Sequence, residues 1–272
     1  MVLGIAAVKD WELRQLGIDM AYLEANVKEE LYIDLPKDYR NFCDQVGRLQ
    51  KAMYGLVHAG LLWSKTFSAE VAARGFEQCQ TDPCVFRRVL RGKFVVIIVV
   101  YVDDLLVASE RNRDDEQEIN DLRSCFPIKD LGEAGFYLGC HITRDRDAGT
   151  LKFDQQYYVR TMASKLSVEK TRTTPAAAGA KPLSKGDAPQ TEAETEEMRV
   201  IPYREAAGAL MWAATMTRPD VAYAAHQLGK FNDSPGPVHS RAAKRALQYL
   251  WRTKDVGITY GGAPGLCTKL SA

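Results

Sequence analysis

The sharpest chemical signal in the sequence is Tyr101-Val102-Asp103-Asp104, where two adjacent carboxylates follow the apolar run 94–100 and precede Leu105-Leu106-Val107-Ala108. Neighbouring aspartates repel each other, and two explanations for keeping them together compete. Asp is a favoured turn residue, so a solvated turn accounts for the pair. Alternatively, divalent cations neutralise the repulsion, because carboxylate oxygens are the ligands that Mg²⁺ takes. A turn needs no run of Val and Ile before it. A metal platform needs a rigid, dry support that fixes its carboxylates, so the context favours the cation.

Strands must carry such a tip. CVFRRVL, the turn Arg91-Gly92, the run KFVVIIVVYV and then LLVAS read as three strands with two tight connections, the central one apolar on both faces and therefore buried. Upstream, residues 11–23 alternate loosely and 31–35 read as a short strand stopped by Pro36. Leu62, Trp63, Phe67, Val71 and Ala72 recur at helical spacing within 61–76, in a helix ending at Gly75. Downstream come a charged amphipathic helix over 114–125, a hairpin of 135–144 with 149–153 around DRDAG, and a helix over about 155–166. Residues 171–197 are rich in Thr, Ala, Pro, Lys and Glu without an apolar period, which predicts a linker or extended arm at a domain boundary. Beyond it, 203–231 and 238–252 are helical patterns separated by NDSPGP, so an all-helical second unit is expected. No internal repeat is visible.

The 272 residues are 46% hydrophobic and 26% charged, which fits a folded core and excludes wholesale disorder and collagen-like architecture. Thirty-six Lys and Arg stand against 35 Asp and Glu, so the net charge of +1 creates no overall basic field and any polyanion site must be local. The apolar run 94–100 is far shorter than the roughly 20 residues that span a bilayer, and the N-terminus MVLGIAAVKDWELR is too short and too charged for a secretory signal. An intracellular, non-secreted protein with no membrane partner is expected. Six cysteines without a CxxC pair read as buried reduced thiols rather than a zinc site or disulfide frame.

YVDDLLVAS after an apolar strand resembles the catalytic hairpin of reverse transcriptases, and further blocks resemble the Ty1/copia retrotransposon class in the same order. LEANVKEELYIDLP is similar to that class's LNGxLxEExYMxxP, LQKAMYGLVHAGLLW to LxKALYGLKQAPRxW, and FPIKDLGEAGFYLGCHI to FxMKDLGExxYFLGIEI. YREAAGALMWAATMTRPDVAYAAHQLGKF and HSRAAKRALQYLWRTKDVGITY resemble its later helical segments, so the likeness runs from Trp11 to about Tyr260. It implies an α+β fold: a right-hand polymerase palm, an antiparallel sheet with helices on one face, followed by a helical thumb. The expected domains are a palm with a primer-grip-like hairpin over 1–170, an arm over 171–197, a thumb or connection over 198–260 and a tail over 261–272. Fingers and RNase H sequences are not recognised. The implied activity is RNA-directed DNA polymerase, a nucleotidyltransferase in which two Mg²⁺ or Mn²⁺ ions align a primer 3′-hydroxyl with a deoxynucleoside triphosphate. The implied partners are an RNA or DNA template with its primer, deoxynucleoside triphosphates and other polyprotein segments. The cytoplasm, a virus-like particle and the nucleus are the implied locations.

Carried over by motif, Asp103 and Asp104 are the catalytic and metal-binding residues. The class normally supplies a third aspartate in WxLxQLDVKTAFL, but here the text is WELRQLGIDMAYL, with Gly17 at that position. Asp19 is the candidate substitute. On a strand it would face the same side as residue 17 but lie roughly 7 Å along the chain. Mg²⁺ holds its oxygens at about 2.0–2.1 Å, so a register slip or bulge would be required. An impaired polymerase, or a non-catalytic remnant that binds primer–template, is therefore expected. Tyr22 falls where the class places the aromatic that packs under the sugar and excludes a 2′-hydroxyl; an ordinary half-buried aromatic is the alternative. Tyr101, His58 and Lys129 are further nucleotide-site candidates. His58 and Gly60 replace the class's Gln and Pro, and Lys129 is a candidate for assisting pyrophosphate departure or a solvated lysine. FYLGCHIT with GTLKF resembles a primer grip. Arg241, Lys244 and Arg245 share a helix face near His239 and are candidate nucleic-acid contacts, with a solvated helical face as the alternative.

Overall fold

A computed structural model gives the fold and describes residues 1–36, 38, 46–90, 93–110, 116–177, 179 and 181–262. The chain divides into two compact units, Met1–Ala134 and Gly135–Pro264. In the first, α1 (Val2–Lys9) leads into β1 (Glu12–Ile18), a 3-10 turn over Ala21–Glu24, and the short strands β2 (Tyr32–Asp34) and β3 (Val46–Arg48). Then follow α2 (Ala59–Ala73), β4 (Glu77–Gln78), β5 (Val85–Leu90), β6 (Lys93–Tyr101), β7 (Asp104–Ser109), α3 (Glu116–Arg123) and β8 (Ile128–Glu133).

Six strands form one antiparallel sheet in the order β4-β5-β6-β7-β1-β8. The β-branched run of β6 suits an interior strand, and the insertion of β1 beside β7 brings residues some 90 positions apart into register. Alternate residues Leu16, Ile18, Val96, Ile98, Val100, Leu105 and Val107 form one core with Trp63, Phe67 and Val71 of α2 and Ile119 and Leu122 of α3. Trp63, Phe67, Phe86 and Phe126 contact one another at ring separations of 5.1–5.5 Å. Each such pair is worth about 0.5–1.5 kcal/mol beyond its buried area and fixes α2 on the sheet. The opposite face is not bare: Leu13, Leu106 and Ala108 are buried there, and α1 lies against β7.

The second unit contains β9 (Phe136–Tyr137), β10 (Cys140–Asp145), β11 (Thr150–Asp154), α4 (Gln156–Lys165) and α5 (Glu192–Arg199). These are followed by α6 (Tyr203–Met216), α7 (Ala222–Gly229), α8 (Pro237–Arg252) and β12 (Ile258–Gly261). Strands in the order β12-β11-β10-β9 make its sheet. Val159, Leu210, Ala213, Ala225, Leu228, Ala246 and Leu250 make its helical core, where alanines let the helices approach closely. Arg218 of the TRPD motif is 1% exposed. It donates to both Asp220 oxygens at 2.9 and 2.7 Å and to the Thr253 carbonyl at 2.8 Å, tying the α6–α7 connection to the end of α8.

The compact units divide at Ala134/Gly135, because β11 pairs with the distant β12 and Val159, Ala163 and Val168 join the helical core. The helices expected over 203–231 and 238–252 form as α6, α7 and α8 within the second unit, which also carries strands. The stretch 171–197 enters α5, whose first turn is capped by the Thr191 side chain accepting from the Glu194 N–H. One buried anchor, Met198, gives too little apolar period to be read from sequence. The turn Arg91-Gly92, the start of the expected 114–125 helix, Cys43, Cys267 and residues 263–272 lie outside the described residues. Cys79, Cys84, Cys125 and Cys140 are free thiols, but only Cys140 is buried. Among the described residues no helix is long and apolar enough to cross a membrane.

Candidate active site

Tyr101 pairs with Asp104 across β6 and β7, which leaves Val102 and Asp103 as a two-residue connection. Primed hairpin turns need a positive φ at their first central residue, and Val102 has φ 54°. A β-branched side chain in the left-handed region costs of order 1–3 kcal/mol and persists only where its surroundings over-determine it. They do so here. The indole N–H of Trp63, on α2, donates to the Val102 carbonyl at 2.8 Å, and the Ile18 N–H, at the end of β1, donates to the Asp103 carbonyl at 2.8 Å.

Asp103 is exposed and Asp104 half-buried. Burial first, then the charge of Asp103, pushes the Asp104 carboxyl above its ordinary range, against a hydrogen bond from the Gln15 side chain. Burial, then Asp103, then Tyr22 likewise raise the Tyr54 hydroxyl, and the Tyr22 and Tyr54 rings stand 4.5 Å apart. The tip thus gathers negative charge that each neighbouring acid disfavours, the condition a bound cation relieves.

Gly17 sits at the centre of this arrangement. It pairs directly with Asp104 across β1–β7 and with Lys129 across β1–β8. Directly opposed residues share a sheet face, so Asp104, position 17 and Lys129 form one row over three strands. A Cβ at position 17 would meet only the Leu131 Cδ1, at an ordinary 3.8 Å. There is room for a side chain, and none is there.

Asp19 lies past the end of that strand. The strand ends at Ile18, and Asp19 is an exposed residue in the following turn with its N–H bonded to the Pro127 carbonyl at 3.0 Å. The same-face placement expected of a continuous strand therefore does not hold. The β1–β7 register runs unbroken from Glu12 to Gly17, and the only shift on the β8 side precedes Gly17, between Gln15 and Leu16. Among the described residues no group of three or more His, Cys, Asp or Glu side chains is placed to hold a metal ion. The donors present fit one cation bound through one or two carboxylates together with waters and substrate phosphates, which is a common Mg²⁺ arrangement. They do not fit a three-carboxylate cage.

Tyr22 lies half-buried in the 3-10 turn after β1. With Gly60, Trp63, Val100 and Val102 it lines a cavity of about 140 Å³ beneath the hairpin tip. Its hydroxyl is 4.0 Å from where a Gly60 Cβ would stand. His58 is exposed at the N-terminal boundary of α2, Tyr101 is exposed next to the turn, and Lys129 is exposed on β8. Tyr22 and Lys129 are thus brought to the tip by packing and register. Gln15 and Tyr54 were not singled out from sequence, and Trp63 only as an apolar helix residue, although Tyr54 and Trp63 belong to LQKAMYGLVHAGLLW, where a polar handle on an aromatic was the available signal. Arg241, Lys244 and Arg245 belong to the second unit, on α8. The nearby His239 is fully buried: it accepts from the Gly236 N–H at 2.9 Å and stacks on Phe231 at 4.1 Å, a structural role.

A family profile described as reverse transcriptase (RNA-dependent DNA polymerase) matches residues 1–178, and the chain belongs to that family. Its relatives narrow this to Pol polyproteins of the Ty1/copia retrotransposon type. The chain is 32% identical over 96% of its length to the retrovirus-related Pol polyprotein from transposon TNT 1-94 of Nicotiana tabacum, covering 20% of that protein. It is 32% identical over 95% of its length to the corresponding polyprotein from transposon RE1 of Arabidopsis thaliana, covering 17%. A putative transposon Ty5-1 protein of Saccharomyces cerevisiae is 29% identical over 90% of the chain and is itself covered over 78%. The chain therefore spans about a fifth of the length of the polyproteins it matches.

Proposed function

We propose that this chain is the palm and thumb portion of a Ty1/copia-type reverse transcriptase, by descent an RNA-directed DNA polymerase, whose chemistry is impaired because Gly17 stands in place of the first catalytic aspartate. The register of Gly17 against Asp104 carries the reading. In this reading the first unit serves as palm, and the second supplies the primer-grip hairpin and the thumb. Asp103 and Asp104 would hold Mg²⁺ or Mn²⁺, which when bound supplies charge stabilisation to a transferring phosphoryl group. The chain's own residues prepare that site. Trp63 holds the tip in its strained turn, Gln15 orients the Asp104 carboxyl by hydrogen bonding, and Lys129 presents an ammonium on the same sheet face, where a triphosphate's charge would be met. Tyr22 and Tyr54 form an aromatic wall beside Asp103, suited to packing against a sugar.

Primer extension on an RNA template tests this, with Mg²⁺ or Mn²⁺, comparing the wild type with Asp103→Asn. Weak extension that Asp103→Asn abolishes supports the reading. Extension indifferent to that substitution contradicts it. A non-catalytic remnant that only engages primer–template is favoured by the incomplete carboxylate set, and extension at background for both proteins with retained hybrid binding would identify it.

A further inference from the structure

Away from the hairpin, the segment between α4 and α5 is fixed to α8 at two places. At one, the Arg172 N–H donates to the Gln248 carbonyl at 3.3 Å, and Arg245 Nη2 donates to Thr174 Oγ1 at 2.8 Å. At the other, His239 accepts the Gly236 N–H on Nδ1, so its proton sits on Nε2 and is donated to the Ser184 carbonyl at 3.1 Å. A Cβ at Gly236 would overlap the Asp187 carbonyl, so glycine is what lets the segment lie on the start of α8. Between these fixings, Pro175, Pro182 and Leu183 form one wall of a cavity of about 590 Å³. Protein interiors leave few voids larger than a water molecule, and pockets that take small organic ligands span about 300–1,000 Å³.

The opposite wall is helical. Val238, Arg241, Ala242 and Arg245 follow the i, i+3, i+4, i+7 spacing that puts residues on one face of α8, and Ala224 and Leu228 stand one turn apart on α7. The two alanines, with their short side chains, leave the space open. Apolar residues dominate the walls, yet the charge on them is all of one sign: Lys181, Arg241 and Arg245 line the cavity and no carboxylate does. Among the described residues none of these three cations forms an ion pair, whereas Lys165 and Arg218 of the same unit do. The chain's net charge is only +1, so the excess is local. Apolar walls reward an apolar body, and guanidinium forks match a carboxylate bidentately. A purely apolar ligand would leave the cations without a partner, and a compact inorganic anion would leave the apolar walls in water. A molecule with both parts satisfies both.

We propose that this cavity binds an apolar-bodied organic carboxylate of the medium-chain fatty acid class, its head at Lys181, Arg241 and Arg245 and its chain along Leu183, Leu228 and Val238. The occupant is a single dissolved molecule and not a bilayer, because the space is concave and walled on two sides. The assignment does not depend on the polymerase reading.

The test is isothermal titration calorimetry of the full chain with hexanoate, octanoate and decanoate below their micelle concentrations, and with 1-octanol as the uncharged analogue. Each added CH₂ should tighten binding about fourfold until the cavity is full, and octanol should bind about tenfold more weakly than octanoate. Lys181→Gln/Arg241→Gln alters two exposed side chains; it should bring octanoate down to the affinity of octanol and leave octanol unchanged. Ala242→Leu, which fills the space, should weaken both. Intermolecular NOEs from the octanoate chain to the Leu183, Leu228 and Val238 methyls should place it directly. No binding of any of the three carboxylates at millimolar concentration, or binding that neither variant changes, overturns the proposal. Octanol binding as tightly as octanoate removes the carboxylate from it and overturns it as well. Binding to phosphatidylcholine–phosphatidylglycerol vesicles with no uptake of free octanoate would make this face a membrane contact. Displacement of octanoate by an RNA–DNA hybrid, as effective at equal charge as by decanoate, would make the cations a polyanion surface. Either result overturns the assignment.

Discussion

Replacing Gly17 by Asp puts a carboxylate directly opposite Asp104. Directly opposed Cβ atoms stand about 5 Å apart, and two charges at that separation repel by about 3 kcal/mol at an effective dielectric of 20. Two effects offset this. Removing a strand glycine recovers about 0.5–1 kcal/mol, and Lys129, the other cross-strand neighbour of position 17, returns part of the charge energy. The net expectation in metal-free buffer is a loss of about 1–2 kcal/mol, or a melting temperature lower by about 2–8 °C for a chain of this size. Sterics add nothing, because the new Cβ meets only Leu131 Cδ1 at 3.8 Å. A cation that binds only the native state stabilises by RT ln(1 + [M]/Kd), about 2.7 kcal/mol at a hundredfold excess over Kd. Adding Mn²⁺ or Mg²⁺ should therefore reverse the loss. Differential scanning fluorimetry with and without metal reads this out, with Gly17→Ala as the control that fills the same space without charge. Gly17→Asp and Gly17→Ala melting alike in both buffers would show that position 17 does not face Asp104 in solution, and the reasoning would fail.

The hairpin tip and the second unit yield three further expectations. Trp63→Phe keeps the ring but deletes the donor to the Val102 carbonyl; urea denaturation should show a loss of about 1–3 kcal/mol, and an unchanged midpoint would remove Trp63 from the account of the strained turn. Because the Asp104 carboxyl is pushed up by burial and Asp103, its ionisation opposes folding above its folded pKa and the opposition fades as pH falls through that value. Asp104→Asn should accordingly melt higher than wild type at pH 7 and lose that advantage in acid, and a lower melting point at pH 7 would contradict the charge argument. Burial raises the Asp220 carboxyl, but hydrogen bonds from Arg218 and Tyr249 outweigh it and leave it lowered. The stability it adds is thus present above the unfolded value of about 3.9 and lost as pH falls through the lower folded value. Arg218→Met, which strands Asp220, should cost about 3–5 kcal/mol near neutrality, and a cost below 1 kcal/mol by denaturant titration would mean the pair contributes little.

What could be read from sequence was local. The apolar run of β6 and the periodic apolar face of α2 are short-range patterns and formed where they lay, while the connection expected at Asp103-Asp104 falls one residue earlier, at Val102-Asp103. The acid pair was visible for the same reason. The features that turn that pair into a site are long-range: Gly17 against Asp104, Gln15 on the Asp104 carboxyl, and Tyr54 beside Asp103 all depend on β1 entering the sheet next to β7 and on the segment before α2 folding over the tip. The same-face reading of Asp19 assumed that the strand continued, whereas the chain turns after Ile18. The division at Ala134/Gly135 was not legible because the β11–β12 pairing joins residues about a hundred positions apart.

The central claim is that the β6–β7 tip is a polymerase metal platform missing the carboxylate that β1 should supply. Anomalous diffraction from crystals of Gly17→Asp soaked in Mn²⁺ tests it most directly. The account predicts a Mn²⁺ peak within bonding distance of carboxylate oxygens from both position 17 and the Asp103-Asp104 pair, lost in Gly17→Asp/Asp104→Asn. Manganese bound elsewhere, or the residue 17 and Asp104 side chains diverging onto opposite faces of the sheet, would contradict it.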